Sequence, residues 1–164
     1  MENETRKHQQ EVSKYLNIFA CELMKRAILH DKSKTEEPEK SVFEKYTPQL
    51  KKLTYGSKEY TICLKKMQVA LDHHYLKNRH HPEYYEINRI GASPTDRLSS
   101  MSLVDIVEML CDWLAAVKRH EDGHINKSID VNEKRFSIDP QLSNIFRNTA
   151  LSLQEKEKHF NHYE

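Results

Sequence analysis

The run Leu71-Asp72-His73-His74-Tyr75-Leu76-Lys77-Asn78-Arg79-His80-His81-Pro82-Glu83 constrains this chain more than any other stretch. It holds four of the ten histidines, as two adjacent pairs seven residues apart. Seven residues are close to two helical turns, so a continuous helix puts His73 and His80 on one face and His74 and His81 on another. Pro82 works against that continuity, because the residue before a proline is disfavoured in the α region. The helix is therefore expected to end or distort near residues 79–81, aiming His80 and His81 back toward the body of the protein. Neutral imidazole is the commonest protein ligand for transition metals. The same cluster also suits a solvated, histidine-rich helix end, and the rest of the chain has to decide between the two.

That chain reads as helices. Residues 6–30 carry Val12, Tyr15, Leu16, Phe19, Leu23, Ala27 and Ile28 with a period nearer 3.6 than 2. A straight helix from His8 to His30 would be about 33 Å long. The two histidines can share a metal only if the helix turns back, most plausibly around residues 17–22, where no glycine or proline marks a turn. Thr35 is expected to cap a second helix with Pro38 in its first turn. Residues 46–57 read as a loop, from Thr47-Pro48 and Tyr55-Gly56-Ser57. Residues 57–78 read as one long helix with Tyr60, Cys63, Leu64, Met67, Ala70, Leu71 and His74 on one side. Residues 86–100 read as a polar loop and a candidate lid.

A strong apolar helix then starts after Ser102, which with Asp105 forms a capping-box pattern. Asp112 falls inside this helix between Cys111 and Trp113. A carboxylate among apolar neighbours is costly unless it is paired or metal-bound, although an exposed helix face would also accept it. Residues 118–135 are rich in cations, with a turn at Asp122-Gly123. A last helix is expected over about 140–160, with Leu142, Ile145, Phe146, Thr149 and Leu153 inward. The reading is all-α, a compact single-domain helical bundle over residues 1–164, with its motif-bearing core at about 6–136.

The composition agrees: three glycines, 37% hydrophobic and 31% charged residues. The formal net charge of +1, from 26 basic and 25 acidic residues, gives no nucleic-acid footprint, and no stable nucleic-acid complex is expected. No run has the length of a membrane span, so a soluble, cytoplasmic protein is expected. The three cysteines, Cys21, Cys63 and Cys111, form no CxxC pair and read as free thiols and small core residues.

The order His8, His30-Asp31, the two histidine pairs and Asp112 resembles the HD-domain superfamily of all-helical metal enzymes, mostly phosphohydrolases. His30-Asp31-Lys32-Ser33-Lys34 is similar to the HDxxK form of HD-GYP and related phosphodiesterases. Together HDKSK, DHHYLKNRHHPEYY and EMLCDW look like an uncharacterised HD-like family of phages and bacteria. The resemblance implies a divalent transition metal, one or two ions of iron, manganese, nickel, cobalt or zinc. It implies His8, His30, Asp31 and Asp112 on the first ion, and His74 and His80 with Asp31 on the second. Lys34 would act with Asp31 in catalysis and contact a substrate phosphate, with Arg79 and His81 as further substrate contacts and Arg119, with Lys127 and Arg135, reading a second phosphate or a nucleotide's outer edge. Glu37 or Glu83 would be a general acid/base, and His120, His124, His159 and His162 are read as surface residues.

The implied function is hydrolysis of a nucleotide or another small phosphate ester by metal-activated water. Two alternatives stand beside it: a di-iron oxygenase of HD type, and a non-catalytic nucleotide-binding or sequestering protein of a phage. The expected partner is the small-molecule phosphate ester, with no membrane, and a homo-oligomer is compatible with the reading.

Overall fold

Nothing between residues 2 and 29 breaks a helix, and helix α1 (Glu2–Leu29) runs unbroken in the computed structural model of the chain. The turn expected around residues 17–22 does not form. At about 1.5 Å per residue, His8 lies roughly 30 Å from the end of the helix at Leu29, and it is exposed. His8 therefore cannot join His30 on a metal. Only the last turns of α1 meet the body of the protein; Val12, Tyr15, Leu16 and Ile28 are exposed, while Phe19 and Leu23 are half-buried.

The structure describes residues 2–54, 56–88, 97–120 and 123–160. Among these there are eight α-helices and no strand, so the fold is all-α. After α1 comes a short 3-10 helix, Lys32–Thr35, and then α2 (Glu39–Leu50). Thr35 lies in the 3-10 turn and bonds back to the Lys32 carbonyl rather than capping α2. Residues 46–50, expected in a loop, complete α2 with Pro48 inside its last turn. The cost is one backbone bond, since proline has no N–H to donate to the preceding turn.

The long helix expected over 57–78 is two helices, α3 (Lys58–Lys66) and α4 (Gln68–Lys77), jointed at Met67 (φ −94°, ψ 2°). Ser57 caps α3 through Tyr60 N at 3.0 Å. Cys63, Met67, Ala70 and His74 are the buried residues of this pair, as their spacing implies. The chain does leave the helix before Pro82, which opens α5 (Pro82–Ile87). Of the candidate lid over 86–100, residues 86–87 belong to α5 and Leu98–Ser100 form a 3-10 turn. Residues 89–96 lie outside the described residues.

The second half is built on α6 (Leu103–Val117), α7 (Ile125–Phe136) and α8 (Pro140–Phe160). The capping box at Ser102 and Asp105 is present. Residues 125–136, expected only as a cationic stretch, form α7, which buries Ile125, Ile129 and Phe136 against Met109, Leu110, Trp113 and Phe146. Trp113 and Phe146 meet edge to face at 5.7 Å. On α8 the buried positions are Ser143, Phe146 and Ala150; Ile145 and Leu153 face solvent. Of the cysteines only Cys63 is buried, while Cys21 and Cys111 are exposed. No helix is long and apolar enough to cross a membrane among the described residues.

The result is two groups of helices, α2–α4 and α6–α8. The end of α1 packs on α6, and the turn after α4 leads into α5. The sequence motifs lie where these parts meet.

Candidate metal centre

The centre begins at the end of α1. Asp31 takes the left-handed backbone conformation (φ 55°, ψ 20°) just past the helix, a place most often held by glycine and tolerated by aspartate. Its carbonyl accepts from Lys34 N at 2.9 Å, which turns the chain into the 3-10 helix. His30 and Asp31 thereby leave α1 side by side. The break at residues 78–81 brings His80 and His81 back over His74, as Pro82 implies. From α6 come Asp105, Glu108 and Asp112, three acids at spacings of three and four on one face of an otherwise apolar helix.

These groups converge. His74 Nε2 lies 3.2 Å from Asp31 Oδ1 and 2.9 Å from His81 Nε2. His80 Nε2 is 3.5 Å from the same oxygen. His30 Nε2 is 3.5 Å from Asp31 Oδ2 and 3.6 Å from Asp112 Oδ1. The far nitrogens are held from behind. Glu39, fully buried at the start of α2, accepts from His74 Nδ1 at 2.8 Å and from His73 Nδ1 at 2.7 Å. Glu108 Oε1 accepts from His30 Nδ1 at 3.0 Å and lies 3.3 Å from His80 Nδ1.

A carboxylate behind Nδ1 fixes the tautomer and leaves Nε2 as a lone pair facing inward. In the neutral rings these nitrogens face one another and carboxylate oxygens, a cluster crowded with acceptors into which Lys34 donates at Asp31 Oδ2. Asp31 Oδ1 and His80 Nε2 are buried and have no hydrogen-bond partner. A divalent cation would satisfy both orphaned atoms, and the donor set around them is of the kind that holds one, so the residues fit a metal. Nitrogen and oxygen donors of this kind suit iron, manganese, nickel, cobalt or zinc.

Two ligand groups are within reach of an ion, Asp31 with His74, His80 and His81, and His30 with Asp31 and Asp112. They share Asp31, whose two oxygens face opposite groups. A third grouping, His30, His80 and Glu108, is the support seen from behind, since Glu108 is committed to the Nδ1 atoms.

The electrostatics follow. Without metal, the carboxylates of Asp112 and Glu108 hold the His30 pKa up to about 10. Burial works against ionised Asp31, but His74 and Lys34 outweigh it and keep the carboxyl well below its ordinary range. Burial likewise opposes ionised Glu108, and bonds from His30 and His80 overcome it, bringing the group down to about 2. For His81, burial reinforced by His80 and His74 pushes the pKa well down, which favours the neutral ring a metal needs.

Of the residues expected at the site, His30, Asp31, His74, His80 and Asp112 come together. His81, expected on the substrate, stands among the ligand atoms and also lines the adjoining cavity. Lys34 is near, with Nζ 2.5 Å from Asp31 Oδ2, and it lines the same cavity with Arg119. Arg79 does not reach the site. Its guanidinium turns to Asp105, with Nη2 3.2 Å from Oδ2 and Nε 3.3 Å from Oδ1, because the bend that brings His80 inward carries its neighbour to the other side. Glu37 is exposed and bonded to Ser41, and Glu83 accepts from Arg135. His120 and His124, expected on the open surface, line the cavity. His162 lies outside the described residues.

Glu39 and Glu108 were not anticipated. Glu108 had a signal, since it lies one turn before Asp112 in the same apolar helix. Glu39 had none. Behind Glu108 stands Arg26, bridging Glu108 Oε2 at 3.0 Å and Asp105 Oδ1 at 2.7 Å, so α1 clamps the support as well as supplying ligands. Glu108→Ala is expected to lower metal affinity by roughly 10- to 100-fold, the usual effect of losing a carboxylate behind ligand histidines. Titration of the apo-protein with zinc checks this, and an unchanged dissociation constant would count against the support role.

Residues 1–152 match a family of unknown function, DUF5662, which spans every residue of the cluster. The chain belongs to DUF5662. No curated protein and no solved structure matches it. In this DUF5662 chain the ligand cluster forms the floor of a cavity of about 690 Å³ between the two helix groups, with Asp31, His81 and Asp112 exposed to it.

Proposed function

We propose that this protein is a metal-dependent phosphohydrolase acting on a nucleotide or another small phosphate ester. The observation that carries the reading is the pair of nitrogen and oxygen ligand groups sharing Asp31 on the floor of a cavity edged by Lys34. When bound, a divalent ion there supplies a Lewis acid that lowers the pKa of water and draws charge from phosphoryl oxygens. The protein's own part is to hold and orient. Glu39 and Glu108 lock the imidazoles in the tautomer that faces inward. Asp31, bonded to Lys34, keeps that ammonium at the edge of the ligand group, where a phosphoryl oxygen needs a donor. In hydrolysis a water oxygen bonds to phosphorus, the ester P–O bond breaks, and the alcohol leaves with a proton.

The test is a phosphate-release screen of the metal-loaded protein over nucleotides, cyclic nucleotides and simple phosphate esters. Turnover in the wild type that vanishes in an Asp31 variant supports the reading. Oxygen consumption with a mixed-valent di-iron signal would replace it with the oxygenase alternative. Tight nucleotide binding without turnover in any metal would replace it with the sequestering one. Lys34→Ala is expected to lose about 30- to 1000-fold in rate, the equivalent of about 2–4 kcal/mol of transition-state stabilisation, while retaining its metal. Full turnover in that variant, or loss of its metal, contradicts the role.

A further inference from the structure

The cavity is lined unequally. On the side of α2–α4 its wall is largely apolar and aromatic, from Phe43, Leu50, Tyr60, Leu64 and Leu71, with Thr47, Lys51 and Thr54 as its polar members. On the opposite side, the end of α6, the connection after it and α7 present Arg119, Lys127 and Arg135. Among the described residues three carboxylates line the cavity, Asp31, Asp112 and Glu83. The first two belong to the ligand groups, and Glu83 accepts from Arg135. None is left for Arg119 or Lys127, which form no ion pair among the described residues.

Two cations without an ion-pair partner among the described residues, on one wall of a half-enclosed cavity, focus a positive potential into it. A metal on the floor adds to that potential. A single phosphoryl group on the metal leaves the far wall unanswered. A cavity with ligand groups on its floor, cations on one wall and a largely apolar wall facing them fits a ligand with two anionic groups and an apolar body.

Resting on the phosphohydrolase reading of the floor, we infer that Arg119 and Lys127 form a second phosphate subsite. The substrate class is then a phosphate ester that carries a second phosphate beyond an apolar or aromatic body. The planar guanidinium of Arg119 matches two phosphate oxygens, and Lys127 adds a point charge on the next helix. The body of the substrate lies against the apolar wall.

Hydrolysis-resistant probes separate binding from turnover. Zinc-loaded protein is titrated calorimetrically with alkylphosphonates and with a graded series of α,ω-alkane bisphosphonates. One chain length is expected to bind at least about tenfold more tightly than its monophosphonate, as one charge-assisted contact implies. Arg119→Gln with Lys127→Gln should abolish that advantage, so that in the variant bisphosphonate and monophosphonate bind within about twofold of each other. Equal affinity for mono- and bisphosphonates at every length overturns the subsite, and so does an advantage that survives both substitutions. If the monophosphonate binds only with metal present, a metal-dependent phosphate site on the floor stands whichever way the subsite falls, and turnover is decided by the phosphate-release screen. If it binds no better with metal than without, that reading fails and the subsite falls with it.

Discussion

Asp31→Asn protein is expected to lose most of the metal that the wild type retains through purification. Asparagine is chosen because it tolerates the left-handed backbone that residue 31 adopts, whereas alanine would strain it. Asp31 is the one carboxylate common to both ligand groups, with Oδ1 toward His74 and His80 and Oδ2 toward His30. Its loss removes an anionic oxygen from each group and leaves four inward imidazoles, His30, His74, His80 and His81, without a shared counter-charge. The drop in affinity should exceed the roughly 10- to 100-fold of a supporting carboxylate. Metal analysis of the purified protein, with a circular dichroism spectrum as the folding control, decides it; wild-type content in a folded variant would refute the assignment. The wild type should also show a proton competing with the metal. In the metal-free protein His30 is held protonated, its pKa raised from 6.5 to about 10, and it must lose a proton to bind an ion. Affinity therefore rises with pH below about 10, by up to about tenfold per unit for one displaced proton. A flat or falling profile between the ordinary histidine value of about 6.5 and the raised value of about 10 would contradict the ligand role.

Asp105→Ala is the second large effect, on stability rather than on the metal. Asp105 is fully buried. It accepts from Ser102 N at 2.9 Å, Ser102 Oγ at 2.6 Å, Tyr85 OH at 2.7 Å, Arg79 Nη2 at 3.2 Å and Arg26 Nη2 at 2.7 Å. It caps α6 and ties α1, α5 and the turn after α4 to it. Truncation breaks the capping box of α6 and takes the acceptor from the buried Tyr85 hydroxyl, while the part-exposed guanidinium groups keep water and Arg26 keeps Glu108, a loss of about 2–4 kcal/mol. Denaturant unfolding measures this, and a loss under about 1 kcal/mol would show the network to be dispensable. The pH dependence has a definite sign. Burial would raise the Asp105 pKa, but Ser102, Arg79 and Tyr85 outweigh it and hold the group well below its ordinary range. Its contribution is therefore complete above the unfolded carboxylate value of about 4 and is lost as pH falls toward and through the depressed folded value. The gap between wild type and Asp105→Ala should narrow in acid. A gap that widens below pH 4, the unfolded value, would reverse the assignment.

Helices were legible wherever a local signal agreed with the apolar period. The capping pair Ser102 and Asp105, the unbroken composition of residues 2–29 and the break before Pro82 each depend on neighbours a few residues away. A sequence states such things directly. The turn once expected in α1 shows the limit from the other side. It was required only by joining His8 to His30, and the local chemistry, with no glycine or proline, already favoured one continuous helix. The joint at Met67 and the helical Pro48 went the other way, because packing of α2–α4 overrode weak local preferences.

The candidate site divides in the same manner. His30-Asp31, the paired histidines and Asp112 were readable as chemical types at suggestive spacings. What tertiary structure alone decided is which atoms meet. His81 turns inward with the ligands and Arg79 turns outward to Asp105. Glu39 stands behind a histidine 35 residues away, and Glu108 behind one 78 residues away. A helix period gives the face of a residue on its own helix, but the partner of that face is set by how helices pack. A buried carboxylate is stable only where that packing supplies its donors.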